Sequence, residues 1–307
     1  MSNWPEAMGS EPIERLVPHY SFLGLPVRQE AFNDSRAVIL PVPYDGTTTY
    51  RTGTREGPRA ILQASRELEL FDEETCTEAY REGIFTVGEL GVTVASPRDM
   101  VERVRRAGEF LLSHSKLPVL LGGEHLLSLG MIQAVVEKFR NLTILHLDAH
   151  ADLREEYQGS AYSNACVMRH ALKRAPLVQV GIRSLSADEY DVIKARNIPC
   201  FFAHQLSAKN GWREVVGRLG PEVYISIDLD VFDPSCMPAV GTPEPGGMTW
   251  QEVTALLREV ARDRQVVGFD VMELLPIPHL AAPDFLAARL VYKLLSYIFL
   301  DKKRTAC

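Results

Sequence analysis

The sequence predicts an α/β protein with three layers, α/β/α, in which helices cover both faces of a mainly parallel central sheet. Short apolar runs rich in Val, Ile and Leu alternate along the chain with longer segments of helical period, as in repeated βαβ units. Several of these runs lack polar alternation, which is typical of strands that are buried on both faces. No internal repeat, low-complexity segment or linker interrupts the pattern, so residues 1–307 are predicted to form a single domain.

The predicted elements follow one another in a regular order. The apolar runs predict strands at Ala37–Val42, Val119–Leu121, Leu142–Leu147, Leu177–Val180, Cys200–Phe202, Val223–Ile227 and Val266–Val271. The segments of helical period predict helices at Pro58–Glu69, Pro97–Ser113, Leu126–Lys138, Ser163–Arg174, Ala187–Ala195, Trp212–Leu219, Thr249–Arg262 and Pro283–Leu300. Residues 1–35 form a polar leader, which we expect to pack on the domain or on a neighbouring subunit.

Composition excludes several classes of partner. The chain has 33 Lys+Arg against 40 Asp+Glu, a formal charge of -7 that repels nucleic acid and anionic membranes and tolerates a cationic ligand. The five cysteines are widely spread without a C-x-x-C pair, which argues against a disulfide framework and against a thiolate zinc site. The start has no apolar signal region, and no stretch reaches the roughly 20 apolar residues of a membrane span. We therefore expect a soluble cytoplasmic protein without nucleic-acid or membrane partners.

Potential metal ligands follow the predicted strand Leu142–Leu147. Ligands of open α/β sheets bind at the carboxyl ends of strands, so the segment Asp148–Asp152 occupies a favourable place. Alternate side chains of an extended chain share a face, and Asp148, His150 and Asp152 converge if the strand conformation continues past Leu147. The alternative is a solvated strand end whose charges have no function.

Two other strand ends carry similar residues. Asp228 and Asp230 follow Val223–Ile227, and two carboxylates at a buried strand end repel each other unless a cation compensates them. Asp233 precedes a proline and is predicted to be a turn or capping residue rather than a ligand. In the segment Gly122–His125, the two glycines allow a tight turn that directs His125 into the crevice.

Together these strand ends supply two imidazoles and four carboxylates, from His125, Asp148, His150, Asp152, Asp228 and Asp230. Six ligands are too many for one tetrahedral zinc ion. Oxygen-rich mixed sets suit octahedral ions, and bridging carboxylates suit a pair of them, so we predict two Mn²⁺ ions. Fe²⁺, Co²⁺, Ni²⁺ and Zn²⁺ use the same types of ligand and stay as alternatives.

With these residues in place, the chain closely resembles the ureohydrolase family of arginases and agmatinases. The similar segments are Pro41–Asp45, Gly57–Pro58, Gly122–His125, Asp148–Asp152, Asp228–Pro234, Gly241–Gly247 and Met272–Glu273. The resemblance implies the arginase-like fold and a homo-oligomer, a trimer or a hexamer. It implies that one ion is bound by His125, Asp148 and Asp228 and the other by His150, and that Asp152 and Asp230 complete the shared set.

Within the family, Asp148–Arg154 followed by Tyr157 and Gly159 resembles the agmatinase branch, and the arginase loop for the substrate α-carboxylate is not recognisable. The resemblance implies that Glu273 binds the guanidinium, with Tyr157 and Ser163 as further substrate contacts, and that Asp152 passes a proton to the departing nitrogen. The expected reaction is hydrolysis of agmatine to putrescine and urea, in polyamine biosynthesis. Aminopropyl-agmatine, guanidinobutyrate and guanidine are the alternative substrates.

One position departs from the family pattern. Similar agmatinases tend to have a catalytic histidine where this chain has Asn164, and asparagine hydrogen-bonds but does not titrate. His170 and His279 are conceivable substitutes, although we expect both to be ordinary histidines. A catalytically weak homologue that binds metal or polyamine is therefore an alternative to the enzyme. A single-zinc deacetylase of related architecture is disfavoured, because both aspartate clusters are complete.

Overall fold

The computed structural model describes residues 21–26, 29–206 and 212–300. In this part of the chain eight strands form one sheet, and every pairing in it is parallel. The strands are β1 Ala37–Val42, β2 Ile84–Thr86, β3 Leu117–Gly122, β4 Leu142–Leu147, β5 Leu177–Ile182, β6 Cys200–Phe202, β7 Glu222–Asp228 and β8 Gln265–Met272. Their order across the sheet is β2-β1-β3-β8-β7-β4-β5-β6. The predicted parallel sheet is confirmed.

Helices cover both faces of this sheet. They are α1 Gln29–Asp34, α2 Gly57–Ser65, α3 Pro97–Ser113, α4 Ser128–Lys138, α5 Val167–Ala171, α6 Ala187–Arg196, α7 Arg213–Gly217, α8 Trp250–Asp263 and α9 Ala282–Phe299. One hydrophobic core contains residues of α2, α7, α8 and α9, and the other contains residues of α1, α3, α4, α5 and α6. Along β1, Ile39 belongs to the first core, and Val38 and Leu40 belong to the second, as strand alternation requires. The fold is therefore the predicted three-layer arrangement.

Some element boundaries differ from the predictions. The edge strand β2 and helix α1 were not predicted, because three residues are too short for a pattern and α1 lies within the polar leader. The predicted helix Pro58–Glu69 ends at Ser65, since the following amides bond to carbonyls three residues back. The predicted helix Ser163–Arg174 is a 3₁₀ turn, Asn164–Cys166, followed by the short α5.

The described part of the leader packs on the domain. Phe22 is fully buried, and its backbone N–H donates to Thr86 Oγ1 at 2.9 Å. The N–H of Leu23 donates to Ser65 Oγ at 2.8 Å. Residues 1–20 of the predicted leader lie outside the described part, so a contact with a neighbouring subunit stays a prediction, as does the single-domain organisation.

The cysteines are not uniform. Cys166, Cys200 and Cys236 are free thiols, and no thiolate pair forms a zinc site among the described residues. The remaining described cysteine, Cys76, is disulfide-bonded. Among the helices within residues 21–26, 29–206 and 212–300, none combines the length and the apolar character needed to cross a membrane.

The sheet order brings the predicted site segments together. Strands β3, β8, β7 and β4 are direct neighbours in the middle of the sheet, although β7 and β8 lie far from β3 and β4 in sequence. His125 follows β3, Asp148 follows β4, Asp228 ends β7 and Glu273 follows β8. Because all four strands are parallel, these residues meet at one edge of the sheet.

Candidate metal centre and active site

The turn after β3 places His125 in the site. A side chain at Gly123 would put its Cβ 2.1 Å from the carbonyl oxygen of Tyr44, so only glycine fits against this backbone. The chain then enters a 3₁₀ turn, His125–Leu127, and the imidazole of His125 lines a cleft while 1% exposed. The predicted glycine turn is confirmed.

The hydrogen bonds of His125 determine its tautomer. Ser226 Oγ donates to Asp270 Oδ1 at 2.9 Å, so it accepts a proton from His125 Nε2, also at 2.9 Å. The other ring nitrogen, Nδ1, therefore carries a lone pair. This atom is buried without a hydrogen-bond partner. Around it lie carboxylate oxygens of Asp148 at 3.0 Å, Asp228 at 3.2 Å and Asp152 at 3.4 Å. A lone pair enclosed by carboxylates fits a metal ligand.

His150 forms the second half of the cluster. Its Nδ1 lies 2.8 Å from Asp230 Oδ2 and 3.4 Å from Asp148 Oδ1. The fully buried Asp148 thus presents Oδ2 to His125 and Oδ1 to His150. Asp148 thus faces both imidazoles, and all six predicted ligands converge here.

The backbone reaches this geometry by a different route from the predicted one. Strand β4 stops at Leu147, and Asp152 has a left-handed φ of 54° rather than an extended conformation. Asp228 begins a 3₁₀ turn in which its Oδ1 accepts from the N–H of Asp230 at 2.9 Å. Asp230 Oδ1 in turn accepts from the N–H of Ala149 at 2.9 Å, which joins the two segments. Turns, not strand alternation, bring the carboxylates together.

The charges in the cluster are unbalanced without cations. Burial and the neighbouring carboxylates raise the pKa values of Asp152 and Asp228 well above the usual range. Asp148 is also buried, but the surrounding imidazoles hold its pKa well below the usual range. For His125, burial opposes protonation, yet the negative charges of Asp148 and Asp228 raise the pKa. Divalent cations would supply the missing positive charge, in competition with protons for the same atoms.

Glu273 lies beside the cluster. Its Oε1 accepts from the backbone N–H of His125 at 2.7 Å, and its own N–H donates to the carbonyl of Gly123 at 2.8 Å. The side chain lines the cleft, and burial together with the charges of Asp228 and Glu124 raises its pKa well above the usual range. Its φ is 66°, a left-handed conformation that costs a non-glycine residue about 1–3 kcal/mol. A buried carboxylate held in this way suits a cationic substrate group.

The cleft above these residues has a volume of about 230 Å³. Its walls include the predicted residues Tyr157 and Asn164, and also Thr48, Tyr50, Arg51, Arg154 and Thr242. The loop after β1 that carries Tyr50 and Arg51 was missed as a source of site residues. The same rule that identified the other strand ends would have found it, since β1 is apolar and its carboxyl end carries a polar loop.

Asn164 sits in a network of local hydrogen bonds. Its Oδ1 accepts from Ser163 Oγ at 3.0 Å and from the N–H of Ala165 at 3.0 Å. Ser163 is buried and does not line the cleft, so its placement does not support the predicted substrate contact. His170 bonds to the carbonyl of Ala161, and neither it nor the exposed His279 lines the cleft.

Glu124 was also missed, although it precedes His125 directly. It is fully buried, and its oxygens accept from the N–H of Thr47 at 2.5 Å and from Thr47 Oγ1 at 2.9 Å. Thr47 Oγ1 also accepts from the N–H of Asn164 at 3.2 Å. Glu124 therefore connects the His125 turn to the loop after β1 and to the Asn164 segment.

Asp233 and Arg183 hold the loop Gly241–Gly247 against the site. Asp233 Oδ2 accepts from the N–H groups of Gly246 at 2.9 Å and Gly247 at 3.1 Å, which confirms a turn residue rather than a ligand. Arg183 Nη2 donates to the carbonyls of Asp230 at 2.6 Å and Glu244 at 2.8 Å. The backbone of one metal-ligand segment is thus fixed to this loop.

Known proteins share both the sequence and the fold. A model of the arginase family matches residues 35–296. The chain is 40% identical to an N(1)-aminopropylagmatine ureohydrolase of Thermus thermophilus, over 85% of this chain and 89% of the relative. It is 36% identical to the protein of the same name from Synechocystis, over 87% and 90%. It is 32% identical to an agmatinase of Halalkalibacterium halodurans, over 80% and 86%.

The fold agrees with a solved structure as well. Proclavaminate amidino hydrolase from Streptomyces clavuligerus superposes with a TM-score of 0.83 at 29% identity, covering 94% of this chain and 99% of that chain. The predicted arginase-like fold is confirmed. Sequence, fold and the convergence of the predicted ligands agree, and the chain belongs to the arginase family as a ureohydrolase, a C–N hydrolase that acts on guanidino groups.

Proposed function

We propose that this ureohydrolase holds two Mn²⁺ ions and cleaves the guanidino group of a small guanidino amine to release urea. The observation that carries the proposal is the buried His125 Nδ1, which has no hydrogen bond and faces three carboxylates. The six predicted ligands would hold the ions. Oxygen-rich ligand sets of this kind favour Mn²⁺ over zinc.

A guanidinium is a poor electrophile, so its hydrolysis needs a strong nucleophile and a proton for the departing nitrogen. Two divalent cations, when bound, would lower the pKa of water toward about 7 and so supply the nucleophile at neutral pH. Glu273 would bind the guanidinium and fix its carbon next to the cluster. Asp152 lines the same cleft, so its carboxylate would accept the proton that the attacking water loses and pass it to the departing nitrogen.

Asn164 fits an orienting role better than a proton-transfer role. Its amide does not titrate, and its Oδ1 is occupied by Ser163 and Ala165. We therefore assign Asn164 to the orientation of the substrate or of a water molecule in the cleft. Proton transfer would then depend on Asp152.

We propose N(1)-aminopropylagmatine as the substrate ahead of agmatine, although the sequence alone favoured agmatine. The relatives at 36–40% identity carry the aminopropylagmatine name, and the agmatinase is 32% identical. The cleft also offers aromatic surface to a long cationic tail. Tyr50 is 76% exposed at the cleft, and Tyr157 lines it, so both rings can make cation–π contacts with substrate ammonium groups. A cytoplasmic homo-oligomer, trimeric or hexameric, stays part of the proposal.

The test is urea release by the Mn²⁺-loaded protein from N(1)-aminopropylagmatine, agmatine, guanidinobutyrate, guanidine and arginine. We expect the guanidino amines to exceed arginine in kcat/KM by on the order of 10² or more, because the arginase loop that binds the substrate α-carboxylate is not recognisable in this sequence. Comparable values for arginine and the amines would contradict the agmatinase-branch assignment. No urea from any substrate, with two ions bound, would instead support a catalytically weak homologue.

A further inference from the structure

A third histidine, which is not among the predicted site residues, lies against the cluster. His146 is in β4, two residues before Asp148, and is fully buried. Its Nε2 lies 2.8 Å from Asp148 Oδ2, and its Nδ1 lies 3.0 Å from the side-chain nitrogen of Gln179. Gln179 is the residue opposite His146 in the β4–β5 register. With His125, Asp148 and Asp152, His146 belongs to one group of potential ligand atoms.

The hydrogen-bond partners of Gln179 determine the direction of each bond. The Nε2 of Gln179 also lies 2.8 Å from the carbonyl oxygen of Ala151. A carbonyl only accepts, so the amide nitrogen must face it, and the opposite orientation would place two acceptors against each other. Gln179 therefore donates to His146 Nδ1. It follows that His146 carries its proton on Nε2 and donates it to Asp148.

This arrangement leaves one polar atom without a partner. Gln179 Oε1 is buried and has no hydrogen bond among the described residues. An unpaired buried acceptor destabilises the folded state, because it loses its hydrogen bonds to water and gains none in the protein. Gln179 therefore does not serve stability alone. Its two donated hydrogen bonds, to His146 and to Ala151, are the feature that the site requires.

We propose that His146 is not a metal ligand but a positioning residue, which holds the Asp148 carboxylate in its bridging orientation, and that Gln179 sets the tautomer that makes this possible. An aspartate rotates freely about its last torsion unless its oxygens are held. The His146 bond fixes Oδ2 toward His125, while the backbone N–H of His150 donates to Oδ1. The inference rests on the proposed two-metal site.

Two substitutions at His146 separate the effect of its hydrogen bond to Asp148 from the effect of filling the same space. In His146→Gln the new side-chain nitrogen reaches the place of imidazole Nε2, and the donor to Asp148 is kept. In His146→Asn the shorter amide reaches only the place of Nδ1, and that donor is lost. We expect the Asn variant to bind Mn²⁺ about 10–100-fold more weakly than wild type, as for other partners of metal ligands, and the Gln variant to stay close to wild type.

The readouts are Mn²⁺ bound at controlled free concentration, the electron paramagnetic resonance spectrum of the coupled pair, and urea release. Equal Mn²⁺ affinities for the Asn and Gln variants would overturn the inference while leaving the proposed function intact. A wild-type protein that binds fewer than two ions would overturn both.

A measurement on the wild type keeps the inference testable if the variants do not fold. In the metal-free protein with ¹⁵N-labelled histidine, long-range nitrogen–proton spectra should show His146 protonated on Nε2 alone. Protonation of wild-type His146 on Nδ1 would refute the assignment.

Discussion

Glu124 offers a quantitative test of how the site is built. It is fully buried next to His125, and burial raises its pKa to about 7 from an ordinary value of 4.5, against the opposing effect of two hydrogen bonds from Thr47. One pKa unit corresponds to about 1.4 kcal/mol, so the difference of 2.5 between the two pKa values amounts to about 3 kcal/mol.

The direction in which Glu124 changes the stability with pH follows from proton linkage. The folded protein binds the Glu124 proton more tightly than the unfolded chain, so the associated stability is present below about pH 4.5 and is lost as the pH rises through about 7. Replacing the side chain by the neutral amide in Glu124→Gln removes this loss. The raised pKa of Glu273 depends partly on Glu124, so its relaxation in the variant acts in the same direction.

The assay is urea unfolding of the metal-free protein at about pH 5 and about pH 8. We expect the free energy of unfolding of the wild type to fall by about 2.5 kcal/mol more than that of Glu124→Gln between these conditions, because part of the effect is already lost at about pH 5. Glu67→Gln, at an exposed position of the segment after α2, is the matched control and should follow the wild type. If wild type and Glu124→Gln lose stability in parallel, Glu124 does not titrate as a buried carboxylate and the reasoning is wrong.

Two further predictions concern the cluster and Asn164. Asp148→Asn or Asp230→Asn should lower the Mn²⁺ content, measured by elemental analysis, and reduce kcat by on the order of 10² or more, because each removes an anionic ligand. The control Asp233→Asn changes a turn residue and should keep the metal. Equal losses of metal in all three variants would contradict the ligand assignment. Asn164→His should lower kcat/KM for the preferred substrate, because it removes the oxygen that accepts hydrogen bonds from Ser163 and Ala165. A gain of about 10²–10⁴ in kcat, with a new ionisation near pH 6.5, would instead show that the histidine acts as a proton shuttle.

The convergence of the six predicted ligands could be anticipated because each follows an apolar run that has the pattern of a buried parallel strand. An aspartate or a histidine at such a position is expensive to bury unless it binds something, and the sequence alone carries that signal. The path of the backbone could not be predicted in the same way. The left-handed turn at Asp152 and the 3₁₀ turn after Asp228 depend on hydrogen bonds to segments that are remote in sequence.

The role of His146 could not be predicted from the sequence. In the sequence it is one polar residue inside the run Leu142–Leu147, where a satisfied core histidine is the ordinary interpretation. Its role depends on facing Gln179 across two strands, and strand register is set by the whole sheet. The same holds for Glu124, whose partner Thr47 lies 77 residues earlier in the chain.

The sheet order has a consequence for the nascent chain. Strands β7 and β8, the last to be synthesised, lie between β3 and β4 and pair with one of them each. Before residue 222 leaves the ribosome, β3 has β1 as its partner and β4 has β5, and nothing yet joins these two halves at the centre of the sheet. His125 and Asp148 therefore belong to separate sub-sheets until the chain is nearly complete, and pairings of such high sequence separation form slowly. Binding at the proposed metal centre must come late, and a chain stopped before β7 carries four of the six predicted ligands without the means to bring them together with the other two.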